Sequence, residues 1–127
     1  MKKVRHLLIL IFFIILSSFD FSSKRKIIIE LHIECCFNQE NVKIFFDNKT
    51  VYNKKKVTTE ESTGVADYFK IKTQNGIHKI GYKVDNLPTK SYIFSTDSCS
   101  NDTLYFGLQN YEKNLYLEFY KNKPEYD

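Results

Sequence analysis

The chain has 127 residues, a mean hydropathy of −0.38 and 16% aromatic residues, so it has room for a single domain. Its formal charge is +4, but the part that follows residues 1–23 carries 16 basic and 14 acidic residues, a net charge of +2. This near balance excludes a nucleic-acid-binding surface, which needs a concentrated basic face.

The N-terminal segment has the pattern of a secretory signal. Basic residues lie at positions 2, 3 and 5, and the unbroken apolar run LLILIFFIIL follows at 7–16. A membrane span needs about 20 apolar residues, so this run is short for one. The pattern predicts a helical signal peptide over 1–23 that is cleaved after Ser18, with an uncleaved signal anchor as the alternative. In either case the remaining chain is exported, to the periplasm or outside the cell, or tethered to the membrane.

The segment IIIELHIECCF, residues 27–37, has the alternation of a half-buried strand. The predicted inward face comprises Ile27, Ile29, Leu31, Ile33, Cys35 and Phe37. The predicted outward face carries Glu30, His32, Glu34 and Cys36. Because carboxylates are costly in hydrocarbon, this segment is predicted as the first strand of the folded domain and not as the end of a membrane segment.

Further alternating segments follow, separated by turn residues such as Asn75-Gly76 and by Pro88. The predicted strands are VKIFFD (42–47), TVY (50–52), VADYFKIKT (65–73), IHKIGYKV (77–84), SYIFST (91–96), TLYFGL (103–108) and LYLEFY (115–120). The lysine run 54–56 is predicted as a solvated loop. About eight short strands predict an all-β fold, a single antiparallel β-sandwich of Ig-like or jelly-roll-like type over 24–121, with a polar tail at 122–127.

Aromatic residues in the outward phase of these strands form the candidate binding surface. They are Tyr52, Tyr68, Tyr105, Tyr116 and Tyr120. Gathered on one sheet face, they would offer a platform for a sugar ring or a protein partner; scattered, they are ordinary sheet surface. The sequence does not give the strand order, so both readings stay open.

Three cysteines are the disulfide candidates: Cys35, Cys36 and Cys99. Export favours oxidation, and an odd number allows at most one intramolecular bridge. We expect that bridge to join Cys99 to Cys35 or Cys36. A vicinal bridge between Cys35 and Cys36 would strain a regular strand.

No catalytic, metal or cofactor site is predicted. His32 and Cys36 are about 13 Å apart on one strand, too far for proton transfer. His78 beside a cysteine or carboxylate is the only starting point for a small hydrolase. The oxygen-rich loop 97–102 lacks the twelve-residue calcium pattern, and the phosphate-loop and hydrolase motifs are missing from the sequence.

The succession VKIFFDNKTVY and YFKIKTQNGIHKIGYKVDN resembles small accessory sandwich domains of bacterial envelopes, including carbohydrate-binding modules. We expect a non-catalytic exported protein, secreted or in the cell envelope, that binds another envelope or extracellular protein or serves structurally. The alternative is a carbohydrate-binding module that uses the outward tyrosines, and the second alternative is the small hydrolase. Membrane contact is expected only through an uncleaved N-terminal segment, and no nucleic-acid partner is expected.

Overall fold

The computed structural model describes residues 24–126, so the predicted signal segment lies outside the described residues. The described chain is all-β with eight strands, which confirms the predicted fold class. The strands are β1 (Lys26–Ile33), β2 (Asn38–Phe46), β3 (Lys49–Thr58), β4 (Asp67–Gln74), β5 (Ile77–Val84), β6 (Lys90–Ser95), β7 (Thr103–Tyr111) and β8 (Asn114–Tyr120). No helix capable of crossing a membrane is found between residues 24 and 126.

The strands form two four-stranded sheets. Sheet A has the order β4-β1-β7-β8, and sheet B has the order β3-β2-β5-β6. Sheet B is antiparallel throughout, whereas β1 and β7 of sheet A run parallel. The prediction of a wholly antiparallel domain is therefore wrong at this pair, because residue alternation carries no information on strand direction. The order also differs from the immunoglobulin one, in which the first strand lies beside the second.

Inward side chains from both sheets form one hydrophobic core, and the predicted inward residues of β1 are fully buried. Tyr52 is an exception to its predicted outward orientation, since it is only 8% exposed. Its ring stacks on Phe69 of β4, with 5.0 Å between ring centroids. The irregular register between β2 and β3 shifts the phase of β3 and turns Tyr52 inward.

Two predicted boundaries are corrected by backbone geometry. The first strand ends at Ile33 and not at Phe37, because a turn follows in which Cys36 has a φ of 78°. The lysine run 54–56 lies in β3 and not in a loop. Because β3 is an edge strand, its lysines reach solvent and protect the edge from pairing with another chain.

Sheets A and B separate at the edge formed by β6 and β8. Tyr92 and Phe119 lie in the predicted inward phase, yet they remain 48% and 51% exposed. Both rings contact Phe106, at centroid distances of 6.5 Å and 5.5 Å. The core is thus closed around β1 and β7 and partly open at this edge.

Candidate functional site

The structure places four of the five predicted tyrosines on the outer face of sheet A. Tyr68 lies on β4, Tyr105 on β7, and Tyr116 and Tyr120 on β8; Tyr52 faces the core. Tyr68 and Tyr116 are 61% and 54% exposed but lie on opposite edge strands, about 14 Å apart across three strand spacings. The tyrosines therefore share a face without forming one continuous platform.

The centre of that face is occupied by polar side chains of β1 and the residue after it. Glu30, His32 and Glu34 were predicted to face solvent, but they are 3%, 4% and 5% exposed. They point away from the core, as their phase requires, and are covered by side chains of the neighbouring strands and of the C-terminal segment. We call the group the polar cluster; its members are Glu30, His32, Glu34, Gln109, Tyr120 and Tyr126.

Glu34 accepts three hydrogen bonds. Gln109 Nε2, Tyr120 Oη and Tyr126 Oη lie 2.8 Å, 2.6 Å and 2.7 Å from its carboxylate oxygens. Such bonds to a carboxylate are short and strong, and they compensate its burial. Burial, followed by the hydrogen bond to Glu34, raises the pKa of Tyr120 and Tyr126 above the ordinary tyrosine value. Both phenols therefore stay protonated and remain donors.

Gly107 makes room for this arrangement. It lies on β7 directly opposite His32, between the strands that carry Glu34 and Tyr120. A Cβ at position 107 would lie 2.6 Å from both Glu34 Oε1 and Tyr120 Oη. The carboxylate and the phenol thus occupy the space that any other residue would fill with its side chain.

His32 connects the two carboxylates. Its Nε2 lies 2.9 Å from Glu30 Oε1, and its Nδ1 lies 2.8 Å from Tyr126 Oη. The Tyr126 hydroxyl also donates to Glu34, so it joins the His32 ring to the second carboxylate. Both ring nitrogens of His32 therefore have an oxygen partner.

Aromatic rings enclose the His32 side chain. Tyr68 is its cross-strand partner on β4, with 5.8 Å between ring centroids and 28° between ring planes. Tyr126, from the segment after β8, lies at 5.4 Å and 35°. The ring is therefore fixed by stacking as well as by its hydrogen bonds.

A cleft of about 510 Å³ opens beside the polar cluster. Its floor includes Glu30 and His32, and Lys70 Nζ lies 3.4 Å from Glu30 Oε2. The walls come from β4, from the loop between β3 and β4, and from the C-terminal segment. These walls include Glu60, Thr63, Val65, Ala66, Asp67, Tyr68, Lys70, Lys123, Pro124 and Tyr126.

In the structure the three cysteines are free, and the predicted bridge from Cys99 is not present. The Cys99 carbonyl accepts a hydrogen bond from Arg25, just before β1, whereas Cys35 and Cys36 follow the other end of β1. The eight residues of β1 span about 26 Å, far beyond the reach of a disulfide.

A hydrogen bond with Cys35, then burial, raises the pKa of Cys36 to about 11, so its thiol is a weak nucleophile at neutral pH.

His78, the base of the hydrolase alternative, has both ring nitrogens engaged. Nδ1 lies 2.7 Å from Asp47 Oδ2, and Nε2 lies 2.7 Å from the Gln74 carbonyl. The ring stacks on Phe46 at 5.0 Å and is 8% exposed. These contacts join the turn between β2 and β3 to the end of β4 in the other sheet, and they leave no ring nitrogen to take a proton from a substrate. Among residues 24–126, no group of three or more His, Cys, Asp or Glu side chains is placed to hold a metal ion.

Two parts of the polar cluster were missed from the sequence. Tyr126 lies in the segment predicted as a polar tail, and Gln109 follows the predicted seventh strand. Tyr126 carries the only aromatic ring after Tyr120, and this ring was the one sequence feature that could have indicated a contact with the domain. Gln109 and Gly107 gave no sequence signal, because their role depends on which strands are neighbours.

Comparison of the chain with protein-family models, curated proteins and solved structures finds no match. Because a fold alone does not define a function, the chemistry of the site is the basis for a functional conclusion.

Proposed function

We propose that the two sheets form a β-sandwich and that the domain is a non-catalytic binding protein, exported to the cell envelope or secreted. Its partner is another envelope or extracellular protein, which it contacts through the cleft on the outer face of sheet A. Rings that meet between the sheets support the sandwich, with Phe94 of sheet B 5.0 Å from Phe106 of sheet A. The N-terminal signal pattern supports export.

One observation carries the proposal of protein binding: the cleft is already lined by a segment of the protein's own chain that has no regular secondary structure. Residues 121–126 run without regular secondary structure along the outer face of sheet A, and Tyr126 enters the polar cluster. A surface that accommodates this segment has the shape and the polar groups needed to hold a segment of another protein.

The fixed side chains of the cleft floor and of the polar cluster behind it also support binding. The Glu34 carboxylate is held by three donors, and the His32 ring is held by two contacts and by stacking. Side chains that are already ordered lose little conformational entropy when a partner arrives. Tyr68 adds an exposed aromatic side chain at the rim, of the kind that often contributes most to binding.

The second candidate function is carbohydrate binding, favoured by the four tyrosines on one face. Tyr105 and Tyr120 are cross-strand neighbours and half-buried, next to the exposed Tyr116 edge. A sugar bound there would stack on β7 and β8, away from the cleft. The two candidates therefore predict different sensitive residues, Tyr68 for a protein partner and Tyr116 for a glycan.

Site-specific photo-crosslinking in the organism that encodes the protein tests the proposal. Benzoylphenylalanine replaces Tyr68 in the cleft or, as the matched control, Ile93 on sheet B, which is 65% exposed against 61% for Tyr68. We expect a protein adduct from position 68 and none of the same mass from position 93.

Three results would contradict the proposal. They are equal adducts from both positions, no adduct from position 68, or glycan-induced NMR shifts confined to Tyr116 and Tyr105. The last result would favour the carbohydrate-binding alternative.

A further inference from the structure

We infer that the polar cluster beside the cleft selects a tyrosyl side chain carried on a polypeptide segment, and that Tyr126 is the protein's own occupant of this position. The inference rests on the proposed function and names the chemistry of the partner. A partner segment of this kind would displace the C-terminal segment and place its own phenol between His32 and Glu34.

The C-terminal segment is attached at one point. Within the described residues, the segment 121–126 makes two hydrogen bonds to the rest of the domain. Both involve Tyr126 Oη. The segment adds no strand to sheet A, and Pro124 lacks a backbone donor. An attachment through one side chain can be exchanged for an equivalent side chain without unfolding the sheet.

The polar cluster matches a neutral hydroxyl. A phenol donates to Glu34 Oε1 and partners His32 Nδ1 through one oxygen. A phenylalanine would leave these two buried atoms without a hydrogen-bond partner, while Glu34 Oε2 would keep its bonds from Gln109 and Tyr120. A phosphotyrosine would bring about two negative charges against the Glu34 carboxylate.

The charges around the cleft favour a lysine on the bound segment. Glu30, Glu60 and Asp67 line the cleft, and Lys70 partly neutralises Glu30, at 3.4 Å. The remaining acidic character complements a lysine such as Lys123, which lines the cleft three residues before Tyr126.

Peptide binding to the full chain tests the inference. The probe is a fluorescent synthetic peptide of residues 121–126, compared with versions that carry phenylalanine or phosphotyrosine at the tyrosine position. The protein is the wild type, Tyr126→Ala and Tyr126→Phe, with Tyr111→Ala as the matched control, since Tyr111 is an exposed tyrosine of β7 that does not line the cleft. Fluorescence polarisation gives the affinities, and circular dichroism checks that each variant is folded.

We expect the tyrosine peptide to bind Tyr126→Ala at least about tenfold more tightly than it binds the wild type, whose own segment competes. Tyr126→Phe should behave like Tyr126→Ala, and Tyr111→Ala like the wild type. The phenylalanine and phosphotyrosine peptides should bind at least about tenfold more weakly than the tyrosine peptide.

Equal affinity of the phenylalanine or phosphotyrosine peptide, or equal binding to wild type and to a folded Tyr126 variant, would overturn the inference. Absence of binding to both Tyr126 variants would do so as well. If Tyr126→Ala does not fold, the comparison of Tyr126→Phe with the wild type decides the test. An adduct from position 68 without peptide selectivity would leave the proposed function standing and remove only this inference.

Discussion

At the scale of single residues, the site depends on a glycine, Gly107, which has no side chain. Gly107 leaves a space on the outer face of sheet A, and that space is filled by the carboxylate of Glu34 and the phenol of Tyr120. Gly81 of β5 offers a contrast, since a Cβ there would meet Phe45 at 3.5 Å and 3.6 Å and the Lys90 carbonyl at 3.7 Å, all ordinary contact distances. Two glycines in strands of the same protein thus have different structural roles.

We predict that Gly107→Ala lowers the free energy of unfolding by about 1–3 kcal/mol, because the new methyl group displaces buried, hydrogen-bonded oxygens. The matched control Gly81→Ala should be neutral or stabilising by a few tenths of a kcal/mol, since alanine loses less backbone entropy than glycine in a strand. Urea denaturation of both variants is the measurement. Equal stability of the two would show that Glu34 and Tyr120 are free to move aside.

At the scale of elements, the edges β3 and β4 are joined by one carboxylate. Asp67 of β4 accepts hydrogen bonds from Tyr52 Oη at 3.0 Å and from Lys54 Nζ, both on β3, and from the Tyr68 amide at 2.9 Å. Burial acts to raise the pKa of Asp67, but these hydrogen bonds outweigh it and lower the pKa below the ordinary value. The carboxylate therefore links sheet A to sheet B along the edge beside the cleft.

A lowered pKa in the folded state stabilises the protein above the ordinary aspartate value of about 3.9, and this stabilisation is lost as the pH falls through the folded pKa. We predict that Asp67→Asn lowers the unfolding free energy by about 1 kcal/mol at pH 7 and by much less at the acid end of the titration. Denaturation between pH 2.5 and 7, as rough limits, measures this. Glu61→Gln, an exposed loop variant, should keep the wild-type pH profile; a full acid decline in Asp67→Asn would contradict the assignment.

At the scale of the whole molecule, the path of the chain after β8 brings the C-terminal segment to the polar cluster. The last strand, β8, ends at Tyr120 at one edge of sheet A, and the six residues that follow return across the sheet to β1. The segment covers Glu30, His32 and Glu34. These polar residues are therefore buried, although no second sheet packs on this face. Export and thiol state are also properties of the whole molecule.

We predict that intact mass spectrometry of the native exported protein gives a mass that begins after Ser18, with no change on reduction. Alkylation under denaturing conditions should label three thiols, because Cys99 lies at the opposite end of β1 from Cys35 and Cys36. A mass equal to the full chain would support the uncleaved signal anchor. A gain of two hydrogens on reduction would contradict the free thiols.

Local sequence patterns were sufficient to predict the class of the fold and most of its core. Alternation placed Ile27, Ile29, Leu31 and Ile33 inward, and Asn75-Gly76 separates β4 from β5. These features are local, since the period of two and the turn preferences act within a few residues. Alternation failed for Tyr52, where irregular pairing with β2 changed the phase.

The tertiary structure alone decided the parallel pairing of β1 with β7, the separation of the cysteines and the composition of the site. Glu30, His32 and Glu34 are four residues apart at most, but their partners Gln109, Tyr120 and Tyr126 come from 75 to 94 residues away. No local preference encodes such contacts, because they depend on strand order and on the return of the C-terminal segment across sheet A.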